Sequence, residues 1–274
     1  MSRTAVYCLG RVIVDLYADQ LQTPLRDVTS FSKYLGGSAG NTAFGLARLG
    51  APVGLISRVG PDEHGTFLRE RLQREGVDVS MVGVDPAHPT ALAFAALFPP
   101  ADSQVLFYRK PCADNQLALS DVDPAKLGGM LVVAATALAE SPAREATLFA
   151  LQANRAQGGI NVIDLDWRPR LWVDERIAQL YYRIALTMTD IVLANEPELA
   201  FAGGSDEPEH AAAAILALGP KQVVAKRGGD GVLLFGQGGP LTVKPFQVDV
   251  MNTLGAGDGF GAAYCFATLQ GWPA

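Results

Sequence analysis

The sequence predicts an α/β protein in which a mostly parallel sheet is covered by helices on both faces and is accompanied by a small separate sheet. Along most of the 274 residues, apolar runs typical of strands alternate with amphipathic stretches typical of helices, and this alternation favours a parallel sheet. Residues 21–37 and 90–111 break the alternation with turn signals and shorter apolar runs. No linker or repeat interrupts the pattern, so we predict a single domain over residues 1–274.

The elements of the main sheet follow from the apolar periodicity, taken in chain order. Strands are predicted at residues 5–17, 52–60, 130–138, 160–166, 190–195, 222–228 and 231–236, and helices at residues 41–50, 63–76, 143–158, 175–188 and 209–219. The intervening helices are long enough to connect parallel strands. Ligands are expected at the carboxyl ends of such strands.

The two irregular stretches are predicted to form a small sheet that acts as a lid, at residues 12–35 and 90–110. The second stretch has the pattern of a hairpin around the turn sequence PPADS, residues 99–103. A lid that closes over a site excludes water from the reacting groups.

Composition excludes several functional classes. The net charge of −6 and the pI of 5.1, with no dense run of lysine and arginine, argue against nucleic-acid binding. Three cysteines and three histidines are scattered without metal-ligand spacing, so a metal held by protein ligands alone is not expected. No apolar run is long enough for a membrane span, and the N-terminus lacks the features of a signal peptide, so we predict a cytoplasmic protein.

Glycine-rich turns that open helices are candidate anion sites, because the first amides of a helix have no internal partner. Residues Gly60–Thr66 have the glycine spacing of a P-loop but lack its lysine, and the dinucleotide fingerprint GxGxxG is absent. The remaining candidates are GGSAGNTAFGLARLG (36–50) and NTLGAGDGFGAAY (252–264). Structural alternatives are a tight turn capped by Asn41 in the former and a helix capped by Asp258 in the latter.

A third short motif, NEPE at residues 195–198, follows an apolar strand. Taken alone it favours a capping box, with Asn195 as the N-cap and Glu198 three residues later.

Together and in this order, these motifs resemble the signatures of the ribokinase, or PfkB, family of carbohydrate kinases. The resemblance extends over most of the chain and implies a three-layer α/β/α ribokinase-like fold with a β-sheet lid. It implies an ATP- and Mg²⁺-dependent enzyme that phosphorylates a sugar hydroxyl. Asn252 is a departure, because most of the family has aspartate at this position.

The resemblance also implies the roles of individual residues at the reacting centre. Asp258 corresponds to the base that takes the proton from the attacking hydroxyl, and the amides of Gly255, Ala256 and Gly257 correspond to those that hold the phosphoryl oxygens. A loose transition state needs only positioning and charge stabilisation around such a base.

The sugar-binding residues of the family correspond to Asp15, Gly37 and Asn41. Asp15 interrupts an apolar run at what we predict to be the carboxyl end of a strand, and a solvated strand end is the structural alternative.

The nucleotide-binding residues of the family correspond to Asn195, Lys226, Gly228 and Gly231, and Glu198 corresponds to the residue that orients the water shell of Mg²⁺. The chain ends at Ala274, soon after Asp258, where the family continues through helices that help to form the adenine pocket. We therefore expect a truncated C-terminus, and an inactive sugar-acid-binding relative stays open as an alternative.

Further stretches resemble the subgroup that phosphorylates 5-dehydro-2-deoxygluconate in inositol catabolism, namely GRVIVDLYADQ, FSKYLGGSAGN, FYRKPCADNQL and DLDWRPRLW. The 2-keto-3-deoxygluconate kinases share part of this pattern, so either sugar acid fits. The resemblance implies that Tyr108, Arg109 and Arg168 hold the substrate carboxylate, because the planar guanidinium donates two parallel hydrogen bonds. The structural alternative for Arg168 is an ion pair with Asp164 or Asp166.

The lid is also the predicted site of assembly. Lid sheets in this family often pair between subunits, and the apolar stretch ALAFAALF would otherwise leave an exposed sheet prone to aggregation. We expect a homodimer through the lid stretches.

Overall fold

The structure is a computed structural model that describes residues 4–99 and 102–272. The described chain forms two compact units that are interleaved in sequence. The first contains the segments from Gly10 to Leu117 and from Val248 onward, and the second contains Thr4–Leu9 and Ala118–Gln247.

The elements are numbered in chain order. The strands are β1 (Val6–Leu9), β2 (Ile13–Ala18), β3 (Phe31–Gly36), β4 (Val53–Val59), β5 (Asp78–Val84), β6 (Leu92–Phe98), β7 (Asp102–Tyr108), β8 (Met130–Ala134), β9 (Ile160–Asp164), β10 (Ile191–Asn195), β11 (Gln222–Lys226), β12 (Val232–Gly236) and β13 (Leu241–Val243). The helices are α1 (Ser38–Arg48), α2 (Glu63–Arg74), α3 (Ala143–Ala156), α4 (Glu175–Leu186), α5 (Glu196–Gly203), α6 (Pro208–Leu216) and α7 (Ala256–Leu269).

The second unit is built on a mostly parallel sheet. Its strands lie in the order β13-β12-β11-β10-β9-β8-β1, with parallel pairing from β1 to β11 and antiparallel pairing from β11 to β13. Helices α3, α5 and α6 pack against these strands. Strand β8 is buried along its whole length, as expected for an inner strand of a parallel sheet covered by helices.

The first unit contains the parallel pair β4 and β5, with α1 and α2 packed against it. Helix α7 packs along α1 so closely that a Cβ atom at Gly45 would lie 2.8 Å from the Cβ of Ala262. The helix that carries Asp258 is therefore fixed on the helix that carries Asn41.

The first unit also contains a four-stranded sheet in the order β3-β2-β6-β7, which we call the lid. Strands β6 and β7 form the predicted hairpin; the centre of its turn lies outside the described residues. The predicted small sheet is confirmed, and its strands lie in the predicted stretches except for Gly36 at the end of β3.

The start of the second lid stretch is attached to the N-terminus of α2. Asp62 caps this helix by accepting a hydrogen bond from the backbone N–H of Gly65 (2.8 Å). The same carboxylate accepts bonds from the backbone N–H and the hydroxyl of Thr90, both at 2.8 Å. The Gly60–Thr66 stretch thus caps a helix and is hydrogen-bonded to the start of the lid hairpin, consistent with its lack of a P-loop lysine.

One predicted strand is wrong. The apolar run at residues 5–17 forms two strands in different sheets, β1 and β2, because the chain turns at Gly10, whose φ is 143°. Asp15 accordingly lies inside a lid strand and not at the carboxyl end of a main-sheet strand. Strand β5 was absent from the predicted elements, although VDVSMVGV, residues 77–84, alternates between apolar and polar or small residues.

Candidate functional site

The proposed base lies in the first turn of α7. Gly255, with φ of 78°, is the N-cap of this helix, and Asp258 is an acidic residue within the first turn, so the alternative that Asp258 caps the helix is excluded. The Asp258 carboxylate accepts a hydrogen bond of 2.8 Å from the amide nitrogen of Asn41. The structure therefore brings together the central residues of the two glycine-rich motifs.

The second glycine-rich turn opens α1. Gly37 is its N-cap, with φ of 87°, and a Cβ atom there would lie 2.6 Å from the carbonyl oxygen of Arg11. Only glycine fits this position without strain. Asn41 lies inside the helix and its side chain reaches Asp258, so the alternative of a turn capped by Asn41 is wrong.

Asp15 is a half-buried carboxyl group on β2 of the lid. Burial raises its pKa from 3.8 to about 6, and the positive charge of Arg11 partly opposes this shift. A Cβ atom at Gly36 would lie 2.2 Å from the Asp15 carboxylate, so the carboxylate occupies the space that a side chain would fill. This environment is not that of a solvated strand end.

The raised pKa of Asp15 predicts a pH-dependent cost to stability. The folded state holds the Asp15 proton more tightly than the unfolded chain does. The contribution of this group to the free energy of unfolding is therefore fully present below pH 3.8 and is lost as the pH rises through about 6. Asp15→Asn is expected to stabilise the protein by about 1–3 kcal/mol at pH 8 and by much less at pH 4.5. Denaturant unfolding at several pH values measures this difference.

Asp27→Asn is the matched control, because its side chain is exposed in the segment that connects the lid strands β2 and β3. An equal stability difference for Asp15→Asn at pH 4.5 and at pH 8 would contradict the prediction.

Tyr108 and Arg109 are adjacent residues with different surroundings. Cross-strand partners share one face of a sheet. Asp15 is paired with Ala93, which is paired with Phe107, so Phe107 shares the face of Asp15 and Tyr108 does not. Tyr108 contacts the ring of Phe94 edge-on, at 5.6 Å, and is exposed on the face opposite to Asp15.

Arg109 is buried just beyond the end of β7. Its Nε and Nη2 atoms donate to the same carboxylate oxygen of Asp114, at 3.2 and 2.5 Å, and Nη2 also donates to Asn115. Tyr108 and Arg109, which were predicted to bind the substrate carboxylate together, therefore do not face a common site in this structure.

In the second unit, NEPE forms the predicted capping box. Asn195 caps α5 by accepting from the backbone N–H of Glu198 at 2.9 Å, and Glu198 accepts from the backbone N–H of Asn195 at 2.8 Å. The other carboxylate oxygen of Glu198 accepts from the backbone N–H of Trp167 at 3.2 Å. Burial, and then the nearby Asp164, raise the pKa of Glu198 to about 7.

Two ion pairs lie beside Glu198. Lys226 at the end of β11 pairs with Asp164 at the end of β9, at 2.7 Å, and this bond opposes the increase in pKa that burial causes at Asp164. Arg168 pairs with Asp166 at 2.8 Å, and about half of the Arg168 side chain stays exposed. The alternative of an ion pair is thus confirmed for Asp166.

The predicted nucleotide-binding glycines lie in the loop after β11. Gly228 and Gly231 have φ of 55° and 88°, and a Cβ atom at Gly231 would lie 2.1 Å from the carbonyl oxygen of Val243. Gly231 therefore requires glycine, and the left-handed conformation of Gly228 favours it.

Across the part of the chain that the structure describes, no cluster of three or more metal-ligating side chains occurs. Among the described helices, none is long and apolar enough to cross a membrane.

The sequence analysis missed several residues that contact the predicted site residues or the lid. Asp62 and Thr90 tie the lid to α2, and Asp114 neutralises Arg109. Tyr17 lies within electrostatic range of both Asp15 and Asp258. Its position two residues after Asp15, on the same strand face, was the available signal.

Comparison with known proteins gives a consistent result. The sequence profile described as pfkB family carbohydrate kinase matches residues 3–274. The 5-dehydro-2-deoxygluconokinase of Clostridium tetani is 34% identical over 273 residues, which cover 96% of this chain and 80% of that protein. The subgroup resemblance is thereby confirmed.

Solved structures agree with the predicted ribokinase-like fold. A PfkB protein from Polaromonas sp. JS666 superimposes with a TM-score of 0.90 and 32% identity, covering 98% of this chain and 90% of that one. A ribokinase II from E. coli in complex with ATP and Mg²⁺ superimposes with a TM-score of 0.92 and 27% identity, covering 99% and 88%.

Proposed function

Because this chain belongs to the PfkB family of carbohydrate kinases, we propose that it transfers the γ-phosphoryl group of ATP to 5-dehydro-2-deoxy-D-gluconate and forms the 6-phosphate. The observation that carries the proposal is the carboxylate of Asp258 in the first turn of α7, held by Asn41. The named function of the relative from Clostridium tetani supports the choice of acceptor. A 2-keto-3-deoxygluconate kinase is the closest alternative, and an inactive sugar-acid-binding relative is the alternative outside enzymes.

In this proposal, Asp258 accepts the proton of the attacking hydroxyl as the new oxygen–phosphorus bond forms and the bond from the γ-phosphorus to the bridging oxygen breaks, releasing ADP. The hydrogen bond from Asn41 fixes one carboxylate oxygen and so limits the rotation of the base. The backbone N–H groups of Gly255, Ala256 and Gly257 lie at the N-terminal end of α7, where the helix dipole favours phosphoryl oxygens. That of Ala256 donates to the carbonyl oxygen of Thr253 at 3.1 Å, so it would exchange this partner for a phosphoryl oxygen. Asp15, Gly37 and Asn41 are proposed to contact the sugar.

ATP is proposed to bind through Asn195, Lys226, Gly228 and Gly231, and Mg²⁺ through water molecules oriented by Glu198. Magnesium supplies neutralisation of the charge that develops on the phosphate oxygens. Both carboxylate oxygens of Glu198 already accept backbone N–H groups, which favours contact through water over direct ligation.

The deciding assay is coupled ADP release with a panel of phosphate acceptors that contains both sugar acids, fructose and ribose. Turnover of 5-dehydro-2-deoxygluconate above that of the other acceptors supports the proposal. Binding of a sugar acid without ADP release would favour the inactive relative.

We further propose that Arg168 binds the substrate carboxylate, with Tyr108 and Arg109 as additional contacts. Arg168 is the favoured residue, because its guanidinium is half exposed, whereas Arg109 is buried against Asp114. A role for Arg109 in carboxylate binding requires that it exchange or share this partner.

Arg168→Ala is expected to lower kcat/KM for the sugar acid by about tenfold to a hundredfold, because a hydrogen bond to a charged group contributes roughly 1.5–3 kcal/mol. For a neutral ketose such as fructose, the loss is expected to be no more than about threefold. Steady-state kinetics with both acceptors measures the difference.

Arg170→Ala is the matched control, because Arg170 is an exposed arginine two residues away. The assignment of a sugar acid would be wrong if Arg168→Ala lowered activity equally on the acid and on fructose, or if fructose were the better substrate of the unmodified protein.

A homodimer through the lid is also proposed. The support is that Leu106 and Tyr108, on the face of this sheet opposite to Asp15, are each about half exposed, which is unusual for large apolar side chains unless they form an interface. Light scattering at micromolar concentration checks this, and a monomer would contradict it.

A further inference from the structure

The face of the lid that carries Asp15 also carries aromatic side chains. Asp15 is paired with Tyr34 on β3 and through Ala93 with Phe107 on β7. Tyr17 follows Asp15 by two residues on β2, so its side chain projects from the same face. The ring of Tyr17 meets that of Tyr34 edge-on, with centroids 5.5 Å apart and planes at 89°.

Tyr17 shares its strand face with Asp15, and its phenol is within electrostatic range of both carboxylates of the proposed acceptor site. The charges of Asp15 and Asp258 both act on it, and the side chain of Asn252 forms a hydrogen bond with it. Tyr17 is therefore a polar group of the lid that shares a strand face with Asp15, a proposed sugar-binding residue, and whose pKa is raised by the charge of the proposed base Asp258.

The orientation of Asn252 determines the direction of its bond to Tyr17. The side-chain oxygen of Asn252 accepts the backbone N–H of Leu254 at 2.9 Å, so its amide NH₂ group is the donor directed to the phenolic oxygen. A phenol that accepts one hydrogen bond through its oxygen still has its own proton to donate.

Burial, followed by the charge of Asp15, raises the pKa of Tyr17, so the phenol stays protonated at neutral pH. Asp15 and Asp258, when ionised, only accept hydrogen bonds. Hydroxyl groups of a sugar satisfy such acceptors by donating to them, but a carbonyl oxygen has no proton to give. A substrate with a keto group at this site needs a donor, and Tyr17 provides one.

We propose that Tyr17 is a specificity-determining residue that donates a hydrogen bond from its phenolic hydroxyl to a keto oxygen of the acceptor. This inference rests on the proposed function, because it concerns how the site of that reaction selects a keto acid over the corresponding hydroxy acid.

The test compares the keto acid 5-dehydro-2-deoxygluconate with its reduced counterpart 2-deoxygluconate, which has a hydroxyl group in place of the ketone. Tyr17→Phe is expected to lower kcat/KM for the keto acid by about fivefold to a hundredfold, because the carbonyl loses its donor in a partly buried site. For 2-deoxygluconate the loss is expected to stay within about threefold, and the KM for ATP is expected to be unchanged.

A second variant tests the hydrogen-bond direction. Asn252→Asp places a carboxylate that would accept the hydrogen bond of the Tyr17 hydroxyl in place of the keto oxygen, so we expect it to lower activity on the keto acid more than on the hydroxy acid. In a Tyr17→Phe background, the same change is expected to have a much smaller effect, because the two residues act through one hydrogen bond. Tyr34→Phe, on the same lid face, is the control for loss of a phenolic hydroxyl alone.

The outcomes separate this inference from the proposed function. If the unmodified protein phosphorylates the keto acid but Tyr17→Phe lowers activity on both acids equally, the role of Tyr17 is wrong and the proposed function stands. If the unmodified protein does not phosphorylate the keto acid, both are overturned.

Discussion

Asp258→Asn is expected to lower kcat by about 10²–10⁴-fold, the range over which a general base contributes to catalysis. Asparagine has the same shape as aspartate but does not accept the proton of the attacking hydroxyl. Helix α7 keeps its N-cap at Gly255, so the backbone amides of the turn stay in place. Sugar binding, measured by calorimetry, is expected to change by no more than a few-fold.

Asp206→Asn is a suitable control, because Asp206 is an exposed carboxyl group in the second unit. The proposed role of the base would be refuted by an Asp258→Asn enzyme that retained most of its turnover. Equal loss of sugar binding and turnover would instead indicate that Asp258 serves mainly as a ligand for the sugar.

Asp114→Ala is expected to destabilise the protein by about 3–5 kcal/mol, because it leaves the guanidinium of Arg109 buried without its negative partner. The side chains of the pair are 6% and 1% exposed, and the shortest contact is 2.5 Å. A loss of this size is a large part of the stability of a typical domain. Denaturant unfolding of the unliganded protein measures it.

Two further variants decide whether the charge is the cause. Arg109→Met combined with Asp114→Leu removes both charges and is expected to recover much of the lost stability. Glu70→Ala breaks the exposed pair with Arg74, at 2.8 Å, and is expected to cost less than about 1 kcal/mol. If Asp114→Ala were as mild as Glu70→Ala, Arg109 would not depend on this carboxylate in the folded protein.

The alternation of the main-sheet elements was readable from the sequence because it is a local property of consecutive residues. The division of residues 5–17 between two sheets was not, because both strands are apolar and only the turn at Gly10 separates them. The lid was recognised by its interrupted pattern, but its register was not. Which of Tyr108 and Phe107 shares a face with Asp15 depends on pairing between distant strands.

The sequence predicted the parts of the candidate site that lie within contiguous motifs. Asp258 and Asn41 were singled out through the family resemblance, yet their hydrogen bond joins positions 217 residues apart and no local pattern encodes it. The sequence did not reveal Asp114 as the partner of Arg109 or Asp164 as the ion-pair partner of Lys226. Partners of charged groups follow from tertiary packing, which a single sequence does not display.

The interleaved order of the chain has a consequence for protein synthesis. The first unit needs the segment from Val248 onward to complete it, and Asn41 leaves the ribosome long before Asp258 is made. At about 5–20 residues per second, translation of the intervening Ala118–Gln247 segment takes roughly 7–26 s. Throughout that interval the face of α1 that later packs against α7 lacks this contact, so the nascent chain is expected to bind chaperones until α7 emerges.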